Sequence, residues 1–231
     1  MKTIGIIGGM SWESTALYYR MLNEGVKAKL GGLHSAKIAM ISVDFEEIEA
    51  LQAAGDWAAA GEILGDCGKR LKAAGADFLL IATNTMHIVA EAVERASGLP
   101  LLHIADATGD KINSLGMNTV GLLGTAFTME KAFYRGRLQD RFGLEVITPD
   151  AEDRAEVHRI IYEELCLGTV DERSRDQYLK VIDKMRSAGA EAVILGCTEI
   201  GMLVTVDHTD MPLLDTTAIH AKKAVFHALG R

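Results

Sequence analysis

Two positions in the sequence combine a candidate reactive side chain with a place where a strand is expected to end. Cys197 follows the apolar run Ala192–Leu195, and Thr83 follows the apolar run that begins at Phe78. Each precedes a polar pair and a segment where a helix is expected to begin, so free backbone N–H groups and the helix dipole would point at it. A cysteine in such a place should have a lowered pKa and useful thiolate character. The sequence therefore predicts that Cys197 is a functional thiol rather than a structural one.

Two glycine-containing turns are candidate contacts for a small anion. The cluster Gly5–Ser11 follows a predicted strand but has neither a G-x-G-x-x-G nor a G-x-x-x-x-G-K-[ST] pattern, so the signal for nucleotide binding is weak. It is either a tight turn with Ser11 as the helix N-cap or, as we prefer, a turn whose backbone amides approach a carboxylate. The corresponding turn at Gly124-Thr125 could hold the other end of the same molecule.

The other cysteines and the histidines favour structural roles. Cys67 lies on the apolar face of a predicted helix, which is typical of a buried structural thiol. The three cysteines have no metal-ligand spacing, and their low count fits free thiols in a reducing cytoplasm. His87 comes one helical turn after Thr83, and a satisfied structural histidine is favoured over a catalytic one there. The sequence contains no histidine spacing of the H-E-x-x-H type.

Composition excludes several classes of protein. The chain has 231 residues and a net charge of −8 without a Lys/Arg run, which argues against nucleic acid and anionic membrane as partners. No apolar stretch reaches the roughly 18 residues that a membrane span needs. The N-terminal apolar run is short and ends in glycines, so we interpret it as a buried strand rather than a signal peptide and expect a cytoplasmic protein.

Short apolar runs alternate with amphipathic helical patterns, which predicts right-handed βαβ units and an α/β fold with parallel sheets. The runs lack in/out alternation, as expected of strands covered on both faces. The predicted strands are Thr3–Ile7, Ala36–Val43, Phe78–Ala82, Leu101–Ile104, Thr119–Leu123, Leu144–Ile147, Ala192–Leu195 and Leu213-Leu214.

An internal repeat relates the two halves of the sequence. Met1–Gly8 matches Met117–Gly124, and two further blocks, which begin at Ala74 and Pro100, recur in the same order about 115 residues later. The repeat predicts two similar halves, each with about four parallel strands. Ligands of open α/β sheets bind beyond the carboxyl ends of the strands, so two facing halves would enclose a ligand.

At these residues the sequence resembles the aspartate/glutamate racemase family, within the wider aspartate/glutamate/hydantoin racemase group. The likeness covers essentially the whole chain and rests on the blocks Ile4–Thr15, Thr83–His87, Ile104–Thr108 and Gly196–Glu199. It implies two pseudo-symmetric α/β domains, residues 1–98 plus 208–231 and residues 99–207, with the active site between them. It also implies an amino acid as the small-molecule ligand, neither pyridoxal phosphate nor metal as cofactor, and usually a homodimer.

The chemistry that the resemblance implies is racemisation by two opposed groups. One thiolate removes the α-proton from one face of the substrate, and a thiol on the other face returns a proton; by analogy, Cys197 acts on the L-enantiomer. Thr83 stands where the family usually has its first cysteine. A threonine hydroxyl is a poor base at neutral pH. We therefore expect ready L-to-D conversion and sluggish D-to-L conversion, although a complete cycle must have equal kcat/KM in both directions.

Two further departures concern the side chain of the substrate. Cys166 stands where aspartate-preferring members tend to carry a lysine, and Gln52 lies where they use an arginine. Both changes remove a positive charge that would bind a side-chain carboxylate, which favours a broader choice of amino acids. The residues expected to surround the ligand are Met10, Gln52, Asn84, Thr85, Thr125, Thr198 and Glu199.

Two alternatives remain open on the sequence alone. The first is a single-thiol decarboxylase of the arylmalonate type, which also keeps a cysteine only in the second block. The second is a non-catalytic protein that binds aspartate or glutamate and lost turnover together with the first thiol. Release of carbon dioxide would identify the decarboxylase, and binding without exchange of the α-proton would identify the binding protein.

Overall fold

Parallel strands and connecting helices alternate along the chain, as the sequence predicts. The computed structural model describes residues 1–230. The chain divides into two units, Met1–Ile104 with His220–Arg231 and Ala105–Ile219. These bounds differ from the predicted ones in two places. Residues 99–104 belong to the first unit, and residues 208–219 belong to the second.

The first unit has a three-stranded parallel sheet in the order β2-β1-β3. In chain order its elements are β1 (Ile4–Gly8), α1 (Trp12–Leu30), β2 (Ile38–Ser42), α2 (Phe45–Ala54), α3 (Trp57–Ala73), β3 (Phe78–Ile81), a 3-10 helix (Thr85–Val89) and α4 (Ala90–Ser97). The predicted fourth strand at Leu101–Ile104 is reduced to an isolated parallel bridge between Leu79 and Leu101. It is short because Ile104 already begins the next helix.

β1 and β3 are buried on both faces, which explains their uninterrupted apolar runs, whereas the edge strand β2 is partly exposed. Ile7, Leu79 and Ile81 pack with α3 on one face, whereas Ile4 and Ile6 pack with α1 and the C-terminal helix on the other. Alternate side chains of a strand point to opposite faces, so a strand covered on both sides needs apolar residues at every position. Cys67 is buried in the first of these clusters, and burial raises its pKa, so its predicted structural role fits its position.

The second unit has a four-stranded parallel sheet in the order β5-β4-β6-β7. In chain order its elements are α5 (Ile104–Ser114), β4 (Thr119–Gly124), α6 (Ala126–Glu130), α7 (Ala132–Phe142), β5 (Glu145–Ile147), α8 (Ala151–Glu163), a 3-10 helix (Leu165–Leu167), α9 (Glu172–Ser187), β6 (Ala192–Gly196), α10 (Ile200–Leu203), β7 (Leu213–Asp215) and α11 (Thr216–Ala228). β7 pairs with β6, which is why residues 208–219 belong to this unit; the division of the chain falls within α11.

The repeat in the sequence corresponds to equivalent strands and equivalent polar contacts. β1 and β4 are the strands that pair with the next two strands of their own units. The backbone N–H of Thr3 donates to the Asp77 carboxylate over 2.6 Å, and that of Thr119 donates to the Glu191 carboxylate over 2.9 Å. The matching acidic residues of the repeat therefore have the same task, which is to fix the start of a central strand.

None of the helices within residues 1–230 is long and apolar enough to cross a membrane.

Candidate active site

The carboxyl ends of the first unit's strands bring several predicted ligand contacts to one edge. β1 is in register with both neighbours there, with Gly8 opposite Ser42 and Ile7 opposite Ile81. The turn after β1 contains Gly9 at φ 95°, and a Cβ there would collide with the backbone of Val43. Only glycine fits such a turn. Ser11 caps α1 by accepting from Ser14 N, so the capping interpretation of this turn is confirmed.

One of the predicted contacts in this unit, Gln52, forms a hydrogen bond with the sulfur of Met86. Gln52 on α2 is buried, and its Nε2 donates to Sδ of Met86 over 3.1 Å. Met10 is only 3% exposed and belongs to the same apolar cluster as Met86. Met86 lies in the 3-10 helix that begins with the buried Thr85, just after the buried Asn84. The unit thus places Met10 after β1 and Asn84 and Thr85 after β3, whereas Gln52 lies on α2.

Thr83 is half-buried at the end of β3, and His87 holds its backbone. Nδ1 of His87 donates to the Thr83 carbonyl oxygen over 2.8 Å, which fixes the proton of the neutral ring on Nδ1. Nε2 of His87 is buried and has no hydrogen-bond partner within residues 1–230. The expectation of a satisfied structural histidine is therefore correct for one ring nitrogen only.

His87 belongs to a buried histidine cluster. Its ring centroid lies 4.7 Å from that of His103 and 5.7 Å from that of His220. Tyr18 donates to Nδ1 of His220 over 2.8 Å, and Nε2 of His220 donates to the Leu102 carbonyl over 2.7 Å. Burial lowers the pKa of His87 well below its ordinary value, aided by the two other rings, and lowers the pKa of His220 to about 4. His87 and His220 are therefore neutral at neutral pH.

Cys197 directly follows β6 in the second unit, at the strand end where the sequence predicts it. Gly196 lies opposite Gly124, and a Cβ on either glycine would come within 3.0 Å of the other strand's backbone. The glycines let the ends of β4 and β6 approach closely, so that the turn with Cys197 lies beside the turn with Thr125. Thr125 is buried and caps α6 by accepting from Thr128 N over 3.3 Å.

The protonation of Cys197 is opposite to the sequence prediction. Sγ of Cys197 donates to Oε2 of the buried Glu199 over 2.9 Å. Cys197 is partly exposed, but desolvation of its thiol raises its pKa well above the ordinary value, and the charges of Glu199 and of an ionised Cys166 raise it further. The prediction of a lowered pKa is therefore wrong. The α10 helix that follows has only four residues, too few for a strong helix dipole to offset a neighbouring carboxylate.

Thr217 is a residue that the sequence reasoning missed. It is fully buried at the start of α11, and its hydroxyl donates to Oγ1 of Thr198 over 3.4 Å. Its neighbour Thr216 donates to the Leu195 carbonyl over 2.9 Å. Both threonines follow β7 as Thr198 follows β6, and that signal could have found them. Thr216 thereby fixes the backbone that precedes Cys197, and Thr217 fixes the hydroxyl of Thr198, which follows it.

Residues 1–230 contain no cluster of three or more His, Cys, Asp or Glu side chains arranged as metal ligands. The groups described above are proton donors and acceptors: a thiol, a carboxylate, hydroxyls, amides and neutral imidazoles. They suit transfer of protons and recognition of a small polar molecule.

Comparisons with known proteins match nearly the whole chain. The model of the Asp/Glu/Hydantoin racemase family matches residues 7–224. The broad specificity amino-acid racemase RacX of Bacillus subtilis is 28% identical over 161 residues, which span 69% of this chain and 68% of RacX. A crystal structure from Yersinia pestis, provisionally assigned as an Asp/Glu racemase, is 58% identical with a TM-score of 0.94 and covers 99% of this chain and 100% of its own. PH1733, an aspartate racemase homologue from Pyrococcus horikoshii, is 36% identical with a TM-score of 0.86. Its alignment covers 99% of this chain and 100% of PH1733.

Proposed function

Because this chain belongs to the Asp/Glu/Hydantoin racemase family, we propose that it is a cofactor-independent amino-acid racemase in which Cys197 and Thr83 exchange protons with the α-carbon. The observation that carries the proposal is the thiol of Cys197, placed at the carboxyl end of β6 against the carboxylate of Glu199. A desolvated thiolate of high pKa is a stronger base toward a carbon acid than one that water stabilises.

The reaction moves one proton off the α-carbon and one proton on. The Cys197 thiolate takes the α-proton of the L-enantiomer and becomes a thiol, and the α-carbon becomes a planar carbanion. A proton then reaches the opposite face from Thr83, directly or through a water, and yields the D-enantiomer. Cys197 then gives its proton to solvent and Thr83 regains one from solvent, which restores the starting state. Hydrogen-bond donors on the α-carboxylate, among them backbone N–H groups of the strand-end turns, stabilise the developing charge.

The proposed substrates are aspartate, glutamate and a wider range of amino acids. Support comes from Cys166 and Gln52, because neither supplies the positive charge that would select a side-chain carboxylate. The name of RacX, a broad specificity racemase, points in the same direction. We also propose that the protein is a homodimer, as the family resemblance implies.

The test is proton NMR in D₂O with a panel of L- and D-amino acids, in wild type and in Cys197→Ala. Loss of the α-proton signal together with loss of optical rotation is expected in wild type, and neither in the variant, which should still bind ligand. Release of carbon dioxide from an arylmalonate without amino-acid exchange would identify a decarboxylase instead. Binding of aspartate or glutamate without deuterium exchange would identify a binding protein, and both results would overturn the proposal.

A further inference from the structure

We propose that Glu199 controls the charge of Cys197: its carboxylate holds the thiol protonated in the empty site, and the ammonium group of an α-amino acid takes the place of the thiol and releases a thiolate. This inference rests on the proposed function for the identity of the ligand. It assigns Glu199 a direct part in switching the base on.

The contact between the two side chains is close and local. Sγ of Cys197 and Oε2 of Glu199 are 2.9 Å apart, and the two residues lie in one turn between β6 and α10. Glu199 is buried, so its carboxylate is poorly screened by water. A carboxylate only accepts hydrogen bonds, so at this distance the sulfur must keep its proton to form the bond.

The titratable groups around the thiol in this unit all oppose a thiolate. Glu199 lies in the same turn, and Cys166 lies in the 3-10 helix Leu165–Leu167; both raise the Cys197 pKa through their negative charge. Tyr178 on α9 is buried nearby, donates to the Val157 carbonyl, and has a pKa raised by burial and then by the Cys197 charge. The negative charge of Glu164 also raises the pKa of Tyr178, and Glu164 forms an ion pair with Arg159 over 3.0 Å. None of these groups offers a positive charge to the sulfur.

A ligand ammonium supplies the missing charge. It is a stronger donor to Glu199 than a thiol is, because S–H is a weak donor, whereas an ammonium adds the attraction between opposite charges. Once the ammonium neutralises Glu199 and lies close to the sulfur, the thiolate gains on the order of a thousandfold in population, taking charges about 4 Å apart at intermediate dielectric. The thiol proton passes to a solvent base, so binding releases up to one proton.

This arrangement would keep the base inactive until substrate arrives. A thiol reacts far more slowly than a thiolate with alkylating agents and peroxides. The empty protein would therefore protect Cys197, and the group that marks every α-amino acid would activate it. Dicarboxylates without an ammonium group would bind without converting the Cys197 thiol to a thiolate.

The first experiment needs no substrate. The rate of alkylation of Cys197 by iodoacetamide is measured against pH by mass spectrometry of its peptide, in wild type, Glu199→Gln and Glu199→Asp. Glutamine keeps the size of the side chain and removes the charge, so the Cys197 pKa should fall and alkylation at pH 7.5 should rise about tenfold or more. Aspartate keeps the charge on a shorter chain and should give an intermediate rate. An unchanged or slower rate in folded Glu199→Gln overturns the proposal.

The second experiment compares two ligands that cannot turn over. Thiolate absorbance at 240 nm, taken as the difference between wild type and Cys197→Ser, is followed with α-methyl-L-aspartate or succinate bound. The amino acid should lower the Cys197 pKa and release a proton, whereas succinate should not; an equal effect of the two overturns the proposal. If no amino acid undergoes exchange at all, the proposed function fails, while the alkylation experiment still decides the part of Glu199.

Discussion

Nδ1 of His87 donates a hydrogen bond to the carbonyl oxygen of Thr83 over 2.8 Å, and thereby ties the 3-10 helix to the end of β3. The bond fixes the backbone that carries the proposed second proton-transfer group. It also fixes the ring tautomer, so that the bare nitrogen, Nε2, is buried in the histidine cluster.

Removal of this hydrogen-bond donor should make the backbone at Thr83 less rigid. In His87→Asn the side-chain amide nitrogen occupies the place of Nδ1 and can still donate to the carbonyl, whereas His87→Leu cannot. We expect the leucine variant to lose about 1–3 kcal/mol of unfolding free energy, because a partly buried carbonyl loses its partner. The asparagine variant should lose clearly less and keep more α-proton exchange. Urea unfolding and deuterium exchange measure both effects, and equal losses in the two variants would contradict the assignment.

Stability should fall with acid as the buried histidines become protonated. The pKa of His220 is lowered to about 4 by burial, against about 6.5 in an unfolded chain. Because the unfolded state binds the proton first, the contribution of His220 is fully present above about pH 6.5 and is lost as the pH falls to about 4. The loss is on the order of 3 kcal/mol, and the lowered pKa of His87 adds to it in the same direction.

The matched control for this pH dependence is His220→Gln. Its amide nitrogen can still donate to the Leu102 carbonyl, which His220 contacts over 2.7 Å, but it does not titrate. The variant should be less stable than wild type at pH 7 and should lose less stability between pH 7 and pH 4.5 in urea unfolding. The same pH dependence in both proteins would show that His220 does not carry the effect.

Thr83→Cys should supply a second group able to act as a base. A thiol ionises far more readily than a hydroxyl, so proton removal from the D-enantiomer should become faster. We expect higher D-to-L rates at saturation and faster D-substrate deuterium exchange, with kcat/KM still equal in the two directions. Thr83→Ser is the control, because it keeps a hydroxyl. No gain in a folded Thr83→Cys that binds ligand would exclude residue 83 as a proton-transfer position.

Cys166→Lys should change both substrate choice and the pKa of Cys197. Cys166 is close enough for its ionised form to raise the Cys197 pKa, so an ammonium at this position should lower it. The same charge should favour side-chain carboxylates and raise the kcat/KM of aspartate relative to a neutral amino acid by about tenfold, the effect of roughly 1.4 kcal/mol. Cys166→Met is the uncharged control. An unaltered substrate ratio would place position 166 away from the substrate side chain.

Sequence reasoning recovered the repeating α/β units because their signals are local or periodic. Buried parallel strands must be apolar at successive positions, so seven of the eight predicted strands are present. The eighth, at Leu101, fails because pairing reaches only one residue before a helix begins, and strand ends are decided by a partner's register. The place of Cys197 after β6 followed from the repeat in the same way.

The protonation of Cys197 could not be decided from the chain alone. Its pKa depends on burial, on the side-chain direction of Glu199, and on Cys166, a residue distant in sequence that the fold of the second unit brings near. The same holds for His87 and His220, whose neutral state follows from shared burial with His103 and Tyr18. Residue types and their order thus determined where the strands end and which groups stand there. Only tertiary packing decided their charge, because desolvation and Coulomb interactions depend on distance in space and not on distance along the chain.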